Sequence, residues 1–314
     1  MKITVLKLRY VLTASLCLLS MMTGALQAHA DEVKPLNDKK QITFLETVKT
    51  DMETAKPAEE EKPTGDVSLY IFSAYYSKGV ELSRNSAVIQ PSLTVGYKGF
   101  TANVWGNLDT GPYQTPADRT KKNTWTETDV NLSYCRTFGM VNLGAGYSYF
   151  AYNPPFDGAA RPDDQQEVNA TVGLNVLLNP TLTFYKLFDK GRRWYIQMGV
   201  SHIFEFSKVV SLRLAGTAAY MIGGDASYAA EARFDDHANQ TPDKYNAFLD
   251  GVLTACIPVK VTDRITITPI ASYAFPLGTD AKNYMKGNSL EMVANNGDRT
   301  SSILLGGLVM SFSF

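Results

Sequence analysis

Apolar and polar residues alternate along most of the chain after residue 66. In segment 167–176, Val, Ala, Val, Leu and Val occupy every second position, and Glu, Asn, Thr, Gly and Asn lie between them. Successive side chains of a β-strand point to opposite faces, so such a segment has one apolar and one polar face. The pattern predicts about twelve strands, at 67–79, 87–97, 100–109, 125–137, 140–152, 166–177, 181–189, 192–206, 209–220, 245–259, 265–275 and 301–314.

The connections between these strands sort by length. Every second connection is tight: Lys98-Gly99, Phe138-Gly139, Asn179-Pro180, Ser207-Lys208 and Thr262-Asp263-Arg264. The other set includes four long connections, 110–124, 153–165, 221–244 and 276–300, and two shorter ones near 81–86 and 189–191. Barrels of the bacterial outer membrane have short turns on the periplasmic side and longer loops outside. The chain is therefore predicted to be all-β, with residues 67–314 forming an antiparallel transmembrane β-barrel.

A soluble periplasmic β-sandwich would also alternate, but its strands are shorter, at about five or six residues. The final residues favour the barrel. Leu308, Met310, Phe312 and Phe314 share one face and resemble the assembly signal of outer-membrane barrels, whose last strand ends in Phe. This resemblance implies that the barrel-assembly machinery and outer-membrane lipid are partners.

The first thirty residues have the form of a signal peptide. Basic residues precede an apolar stretch from Val11 to Met22, and Ala28-His29-Ala30 follows as an A-x-A cleavage site. Cys17 would suit a lipoprotein, but Leu16 before it is larger than the small residue which that processing prefers. Residues 1–30 are therefore predicted to be removed on export, and the protein is expected in the bacterial outer membrane.

Residues 31–66 are charged and contain Pro35, Pro57 and Pro63, with few residues able to form a core. They are predicted to be a periplasmic leader. Two alternatives stay open at this point: disorder, or one short helix over 41–55, where apolar residues share a face.

Charge and cysteine usage narrow the function. The chain has 30 basic and 31 acidic residues, so it lacks the basic excess of nucleic-acid binders. Cys135 and Cys256 fall on strands predicted to lie on opposite walls, beyond the reach of a disulfide. No C-x-x-C-H motif for haem attachment is present, and no cofactor is expected.

Candidate catalytic residues are sparse. His202 is expected on the outer face of its strand, and Ser201 beside it points to the other face, which argues against a dyad. The loop clusters Asp235-Asp236-His237 and Asp163-Asp164 could bind calcium or take part in catalysis, but neither has a Gly-punctuated ligand loop. Solvated loop charge is the simpler interpretation, so no metal and no enzymatic activity are predicted.

The inner face of the predicted barrel is polar with mixed charge. Alternation places these residues on it: Gln90, Asn103, Trp105, Asp129, Asn131, Glu167, Asn169, Arg193, Gln197, Arg213 and Asp250. Such a lining predicts a wet lumen without strong preference for one ion sign. Trp105 would either narrow the lumen or serve as an interfacial aromatic.

The first strands resemble the N-terminal part of the TorF-like putative porins, an outer-membrane family. The resemblance lies in Tyr75-Tyr76-Ser77-Lys78-Gly79-Val80, Ile89-Gln90-Pro91, and Gly99-Phe100 with Asn103-Val104-Trp105-Gly106-Asn107. That family usually has Arg where Lys78 stands. The resemblance implies an outer-membrane location and a porin-like role, without a substrate.

The sequence thus predicts a porin-like channel for passive diffusion of small hydrophilic solutes. A structural or adhesive barrel, acting through its long loops while the lumen is plugged, is the alternative, with the leader as plug or tether. A barrel lipase or protease is a more distant third.

Overall fold

The computed structural model describes residues 62–83, 86–112, 123–154, 162–189, 191–288 and 300–314. The predicted signal peptide and nearly all of the predicted leader lie outside these residues. Among the described residues, no helix is long and apolar enough to cross a membrane.

Twelve antiparallel strands form a closed β-barrel, which confirms the predicted fold class. In ring order they are β1 (Thr64–Phe72), β4 (Val88–Tyr97), β5 (Phe100–Asp109), β6 (Thr124–Phe138), β7 (Val141–Tyr152), β8 (Gln165–Leu174), β9 (Thr181–Leu187), β10 (Trp194–Glu205), β11 (Ser211–Ile222), β14 (Asn246–Cys256), β16 (Ile265–Pro276) and β17 (Ile303–Ser313).

The ring closes where the first and last strands meet. β1 pairs with β17 from Asp66 opposite Ser313 to Phe72 opposite Gly307. β14 pairs with β16 without any intervening barrel strand. A closed sheet has no edge, so the backbone donors and acceptors of every barrel strand have a neighbour to bond.

The remaining elements lie in the connections. They are β2 (Tyr75–Ser77), β3 (Val80–Ser83), a 3-10 turn (Ala229–Glu231), β12 (Ala232–Phe234), β13 (Gln240–Lys244), β15 (Val259–Lys260) and the helix α1 (Thr279–Asn288). Except for β15, all belong to the long connections. The end of the barrel that carries the long connections is called the mouth below, and the opposite end is the short-turn end.

The two faces of the wall differ in chemistry, as alternation predicts. On the outer face, Leu93, Val104 and Val130 lie in one cross-strand row and are 47%, 48% and 39% exposed. On the inner face of the same strands, Asn103 is 3% exposed. The outer face is thus an apolar surface of the kind that lipid chains solvate.

One predicted strand is wrong in its bounds. The segment 67–79 was expected to be a single strand, but β1 runs from Thr64 to Phe72, and β2 is a separate element. β1 therefore begins inside the predicted leader. The alternation continues past Phe72 because Ala74 and Tyr76 are also buried, so periodicity alone does not reveal where the chain leaves the wall.

The apolar outer face gives a test of membrane embedding. Val104→Arg should lower the free energy of unfolding in lipid vesicles by about 2–4 kcal/mol, the cost of a cation near the bilayer midplane. Val104→Leu is the matched control and should leave stability nearly unchanged. Denaturant titration of both variants measures the difference, and equal stability of the two variants would contradict a lipid-facing Val104.

Candidate functional site

The connection between β1 and β4 folds into the barrel instead of away from it. Its strands β2 and β3 form a hairpin, here called the lumenal hairpin (Tyr75–Ser83). Tyr76 is 1% exposed, and side chains of the hairpin bond to inner-wall residues of β6, β8 and β14. These strands are distributed around the ring, so the hairpin spans the lumen from one wall to the other.

The turn of this hairpin is built by Lys78 and Gly79. Their φ angles are +43° and +84°, and positive φ at both central residues is the requirement of a type I′ turn. Gly79 is needed for space as well, because a Cβ there would lie 2.8 Å from Cδ2 of Leu249. The turn therefore places Lys78 at the tip of the hairpin, against the far wall.

Lys78 ends in a pocket of one carboxylate and three aromatic rings. Its Nζ donates to both carboxylate oxygens of Glu167, at 2.6 and 2.7 Å. The same Nζ lies 4.5 Å from the ring centroid of Tyr185, 5.8 Å from that of Phe150 and 5.9 Å from that of Tyr195. These four wall residues are called the ammonium cage. The side chains of Lys78 and Glu167 are 10% and 2% exposed.

A second contact of the hairpin shares a wall residue with the cage. The hydroxyl of Tyr76 donates to Oδ2 of Asp250 at 2.7 Å, and the hydroxyl of Tyr195 donates to Oδ1 at 2.9 Å. Burial, followed by the charge of Asp250, raises the pKa of Tyr76 well above its usual range. The phenol therefore stays protonated and remains a donor. Tyr195 connects the carboxylate that holds Tyr76 to the cage that holds Lys78.

The hairpin also contacts the nearer wall. The hydroxyl of Tyr75 donates to Oε2 of Glu127 at 3.0 Å, and its ring centroid lies 5.7 Å from that of Trp105. Trp105 thus lies on the inner wall at the level of the hairpin, where it helps to narrow the lumen.

Elements of the β11–β14 and β16–β17 connections pack over the hairpin at the mouth. α1 contacts β3, β12, β14 and β16. Tyr284 of α1 donates its hydroxyl to the carbonyl of Ala230 at 2.9 Å, and its ring lies 4.9 Å from that of Tyr245. Tyr76, Tyr245 and Tyr284 are each 1% exposed or less. The mouth therefore has a packed core, which wall residues such as Tyr195 and Leu305 join.

Polar side chains line much of the wall between the hairpin and the short-turn end. Gln90 donates to Asn107 at 2.9 Å, Asn103 donates to Ser92 at 2.8 Å, and Asn131 donates to Asn103 at 3.2 Å. Amide and hydroxyl pairs continue on later strands, such as Asn142 with Asn175 and Thr171 with Thr183. These groups bond to one another along the wall.

The wall is not polar all round. Tyr70, Phe72, Cys256, Ile270 and Val309 form a buried apolar cluster. They come from β1, β14, β16 and β17. The inner wall therefore has an apolar patch on these four strands, beside polar residues such as Ser68 and Ser272.

Ten of the eleven predicted lumen residues lie in barrel strands, on the face opposite the exposed apolar side chains, and Arg193 directly precedes β10. Gln90, Asn103, Asp129, Glu167, Gln197 and Asp250 are buried, and Trp105, Asn131, Asn169, Arg193 and Arg213 are half-buried. Tyr195 donates a hydrogen bond to Asp250, and its ring lies beside the Lys78 ammonium that Glu167 binds. Asn169 and Arg213 lie away from the hairpin contacts described above. Lys78 and Tyr76 were missed as site residues. The sequence signal for a tight turn at this place was the pair Lys78-Gly79, because the same dipeptide forms the β4–β5 turn as Lys98-Gly99.

The outer face carries the residues of the predicted assembly signal. Met310, Phe312 and Phe314 are 38%, 42% and 59% exposed, and Leu308 is half-buried. The rings of Phe312 and Phe314 lie 6.2 Å apart and nearly parallel.

The residues considered for chemistry lie apart from the lumen site. Nδ1 of His237 is 2.7 Å from Oδ1 of Asp236, with both side chains about 80% exposed. Asp235 joins them in a group that could hold a metal ion, and backbone donors from Asn239 lower the pKa of Asp235. His202 packs against Phe204. Cys135 and Cys256 are unpaired thiols, as predicted.

Comparison with known proteins gives a likeness of fold. No protein-family model and no curated protein sequence matches the chain. The NanC porin is 11% identical over 79% of this chain and 98% of its own, with a TM-score of 0.47. An outer membrane channel from Pseudomonas putida F1 is 11% identical over 83% and 100%, with a TM-score of 0.44. The NalP autotransporter translocator domain from Neisseria meningitidis is 11% identical over 80% and 88%, with a TM-score of 0.37. Likeness at this level does not identify a function.

The Lys78–Glu167 pair gives a test of the site. Lys78→Met should lower the free energy of unfolding by about 3–5 kcal/mol, because it leaves a buried carboxylate without its ammonium. Adding Glu167→Gln to that variant removes the charge and should restore most of the loss. A double-mutant cycle by denaturant unfolding measures the coupling, and additive effects of the two substitutions would rule out the contact.

Proposed function

We propose that the protein is an outer-membrane channel for passive diffusion of small hydrophilic solutes, narrowed near its mouth by the lumenal hairpin. The observation that carries this proposal is the continuous set of amide, hydroxyl and carboxylate side chains on the inner wall of β4 to β9. A barrel that served only as an anchor would gain nothing from such a lining, whereas a solute path needs groups that replace its water.

The size of the barrel suits this role. Eight strands enclose an interior that side chains fill, and 16 to 18 strands enclose an open channel. Twelve strands leave a space wider than wall side chains fill, and the hairpin takes up part of it. The remaining passage is therefore suited to small solutes.

The charges near the hairpin support a channel without a strong preference for one ion sign. Lys78 and Arg193 are cationic, whereas Glu127, Glu167 and Asp250 are anionic. Lys78 neutralises Glu167 directly. Selectivity of a pore follows the charges that remain uncompensated along it.

The proposal includes the route to the membrane. Export would use the predicted signal peptide, and the assembly machinery would read the outward residues of β17, Leu308 to Phe314. The proposed relation to the TorF-like family is supported by the position of its motif, because Tyr75 to Gly79 build the hairpin and its turn.

A second candidate is a closed barrel that acts through its long loops. The packing of Tyr76, Tyr245 and Tyr284 at the mouth favours it. In this case the lumenal hairpin would be the plug.

Planar-bilayer recording distinguishes the two candidates. The wild-type protein should give stepwise currents. A variant in which a short Gly-Ser linker replaces residues 74–86 should give unit currents several times larger, because the hairpin no longer narrows the lumen.

Replacing residues 235–239, the exposed tip of the β12–β13 hairpin, with the same linker is the matched control and should leave the unit current unchanged. Heat-modifiable migration on gels verifies that each variant is folded. Current from the variant without the lumenal hairpin, but none from the folded wild-type protein, would favour the closed barrel. No current from either folded protein would exclude the channel.

A further inference from the structure

The ammonium cage has the composition of a ligand site. Proteins that recognise organic cations surround the charge with aromatic faces and a carboxylate, and each ring adds to the attraction when the cation is desolvated. Here three rings lie within 6 Å of one ammonium nitrogen, and Glu167 accepts from that nitrogen with both oxygens. The occupant is a side chain of the protein itself.

We propose that the ammonium cage is a binding site for small primary-ammonium solutes, and that Lys78 is its resident, exchangeable occupant. This rests on the proposed function in one respect: the solute reaches the cage along the lumen. An incoming amine would take the place of the Lys78 ammonium, and the tip of the hairpin would lose its main polar contact with the far wall.

The burial of Glu167 favours a cation at this place. Its side chain is 2% exposed, and a carboxylate removed from water is stabilised by a paired cation. Arg193 interacts electrostatically with Glu167, but its guanidinium does not fill the space among the three rings, which Lys78 occupies. When Lys78 leaves, the cage keeps its negative charge and its aromatic faces, and a small cation is the ligand that restores both interactions.

The geometry selects the class of cation. The ammonium of Lys78 donates to two oxygens, at 2.6 and 2.7 Å, so the ligand needs N–H donors. A quaternary ammonium has none. The 4.5 Å approach to Tyr185 suits a compact charge better than the wider plane of a guanidinium. Primary alkylamines in their protonated form meet both conditions.

Exchange is favoured by the position of Lys78. Its side chain keeps 10% exposure, so it is not completely sealed from solvent. Its backbone has φ of +43°, a strained region that non-glycine residues seldom occupy. Against this, a tethered occupant competes at a high effective concentration, in the millimolar range or above. Binding of free amine to the wild-type protein is therefore weak, as a transported solute requires.

A cavity variant tests the proposal. Lys78→Ala removes three of the four carbons of the stem together with the ammonium, and n-butylammonium carries the same ammonium on a chain one carbon longer than the part removed. Isothermal titration of the folded, detergent-solubilised variant should show n-butylammonium binding at least tenfold tighter than to the wild-type protein. n-Butanol, the neutral analogue, and tetramethylammonium, which lacks N–H donors, should bind tenfold more weakly or not at all.

Two further variants control the chemistry. Lys78→Ala combined with Glu167→Gln keeps the cavity but removes the charge, and should lose the binding. Lys186→Ala removes another lysine that lies over an aromatic ring, with its Nζ 5.0 Å from Trp194, but has no carboxylate in its contacts described here. It should create no binding site.

The titration results decide whether the proposal stands. A folded Lys78→Ala protein that does not bind n-butylammonium, or that binds it equally well with Glu167→Gln, overturns the proposal. If Lys78→Ala folds only when n-butylammonium is present, and not with n-butanol, the proposal is supported, and failure to fold under both conditions counts against an exchangeable occupant. Titration measures binding and not current, so absence of current with binding intact would overturn the channel alone.

Discussion

The architecture depends on closing a sheet so that no backbone hydrogen-bonding group faces lipid. The terminal strands achieve this by pairing, and Phe314 exchanges two backbone hydrogen bonds with Gly65, at 2.8 and 2.9 Å. An unpaired amide in hydrocarbon costs several kcal/mol, so an open sheet would not survive there. Once the ring is closed, the period of two assigns alternate residues to lipid and to the lumen. The apolar outer row through Val104 and the polar inner row through Asn103 both follow from this constraint.

Closure creates an interior that the wall alone does not fill. The chain uses its first long connection for that purpose, because a type I′ turn at Lys78-Gly79 makes a hairpin narrow enough to enter the barrel. Bringing a lysine inside then requires a partner for its charge. Glu167 supplies the charge, and the rings around it supply favourable faces. The hairpin is therefore held by a few polar contacts, whereas the wall is held by a continuous ladder of backbone bonds.

The sequence alone predicts the strands of the wall, but it does not predict the lumenal hairpin. Residues such as Val168 and Glu167 reveal their faces through local alternation, and turn lengths reveal the two ends of the barrel. Tyr76 also fits the alternation of β1, so the pattern predicts it in the same strand. In the structure it lies in the lumen, where it donates to Asp250. The contact of Lys78 with Glu167 joins residues far apart in the chain, and only the closed ring brings them together. α1 was missed because its residues lie in a loop rich in turn formers.

The central claim is that Lys78 is held inside the lumen by Glu167, and the reactivity of its amine tests this most directly. The folded barrel can be treated briefly with a water-soluble amine-modifying reagent, and the extent of modification of each lysine measured by mass spectrometry. The account predicts that Lys78 reacts far more slowly than Lys98, which lies exposed in the β4–β5 turn, and that Glu167→Gln speeds its reaction. Equal rates for Lys78 and Lys98 in the wild-type protein would contradict the account.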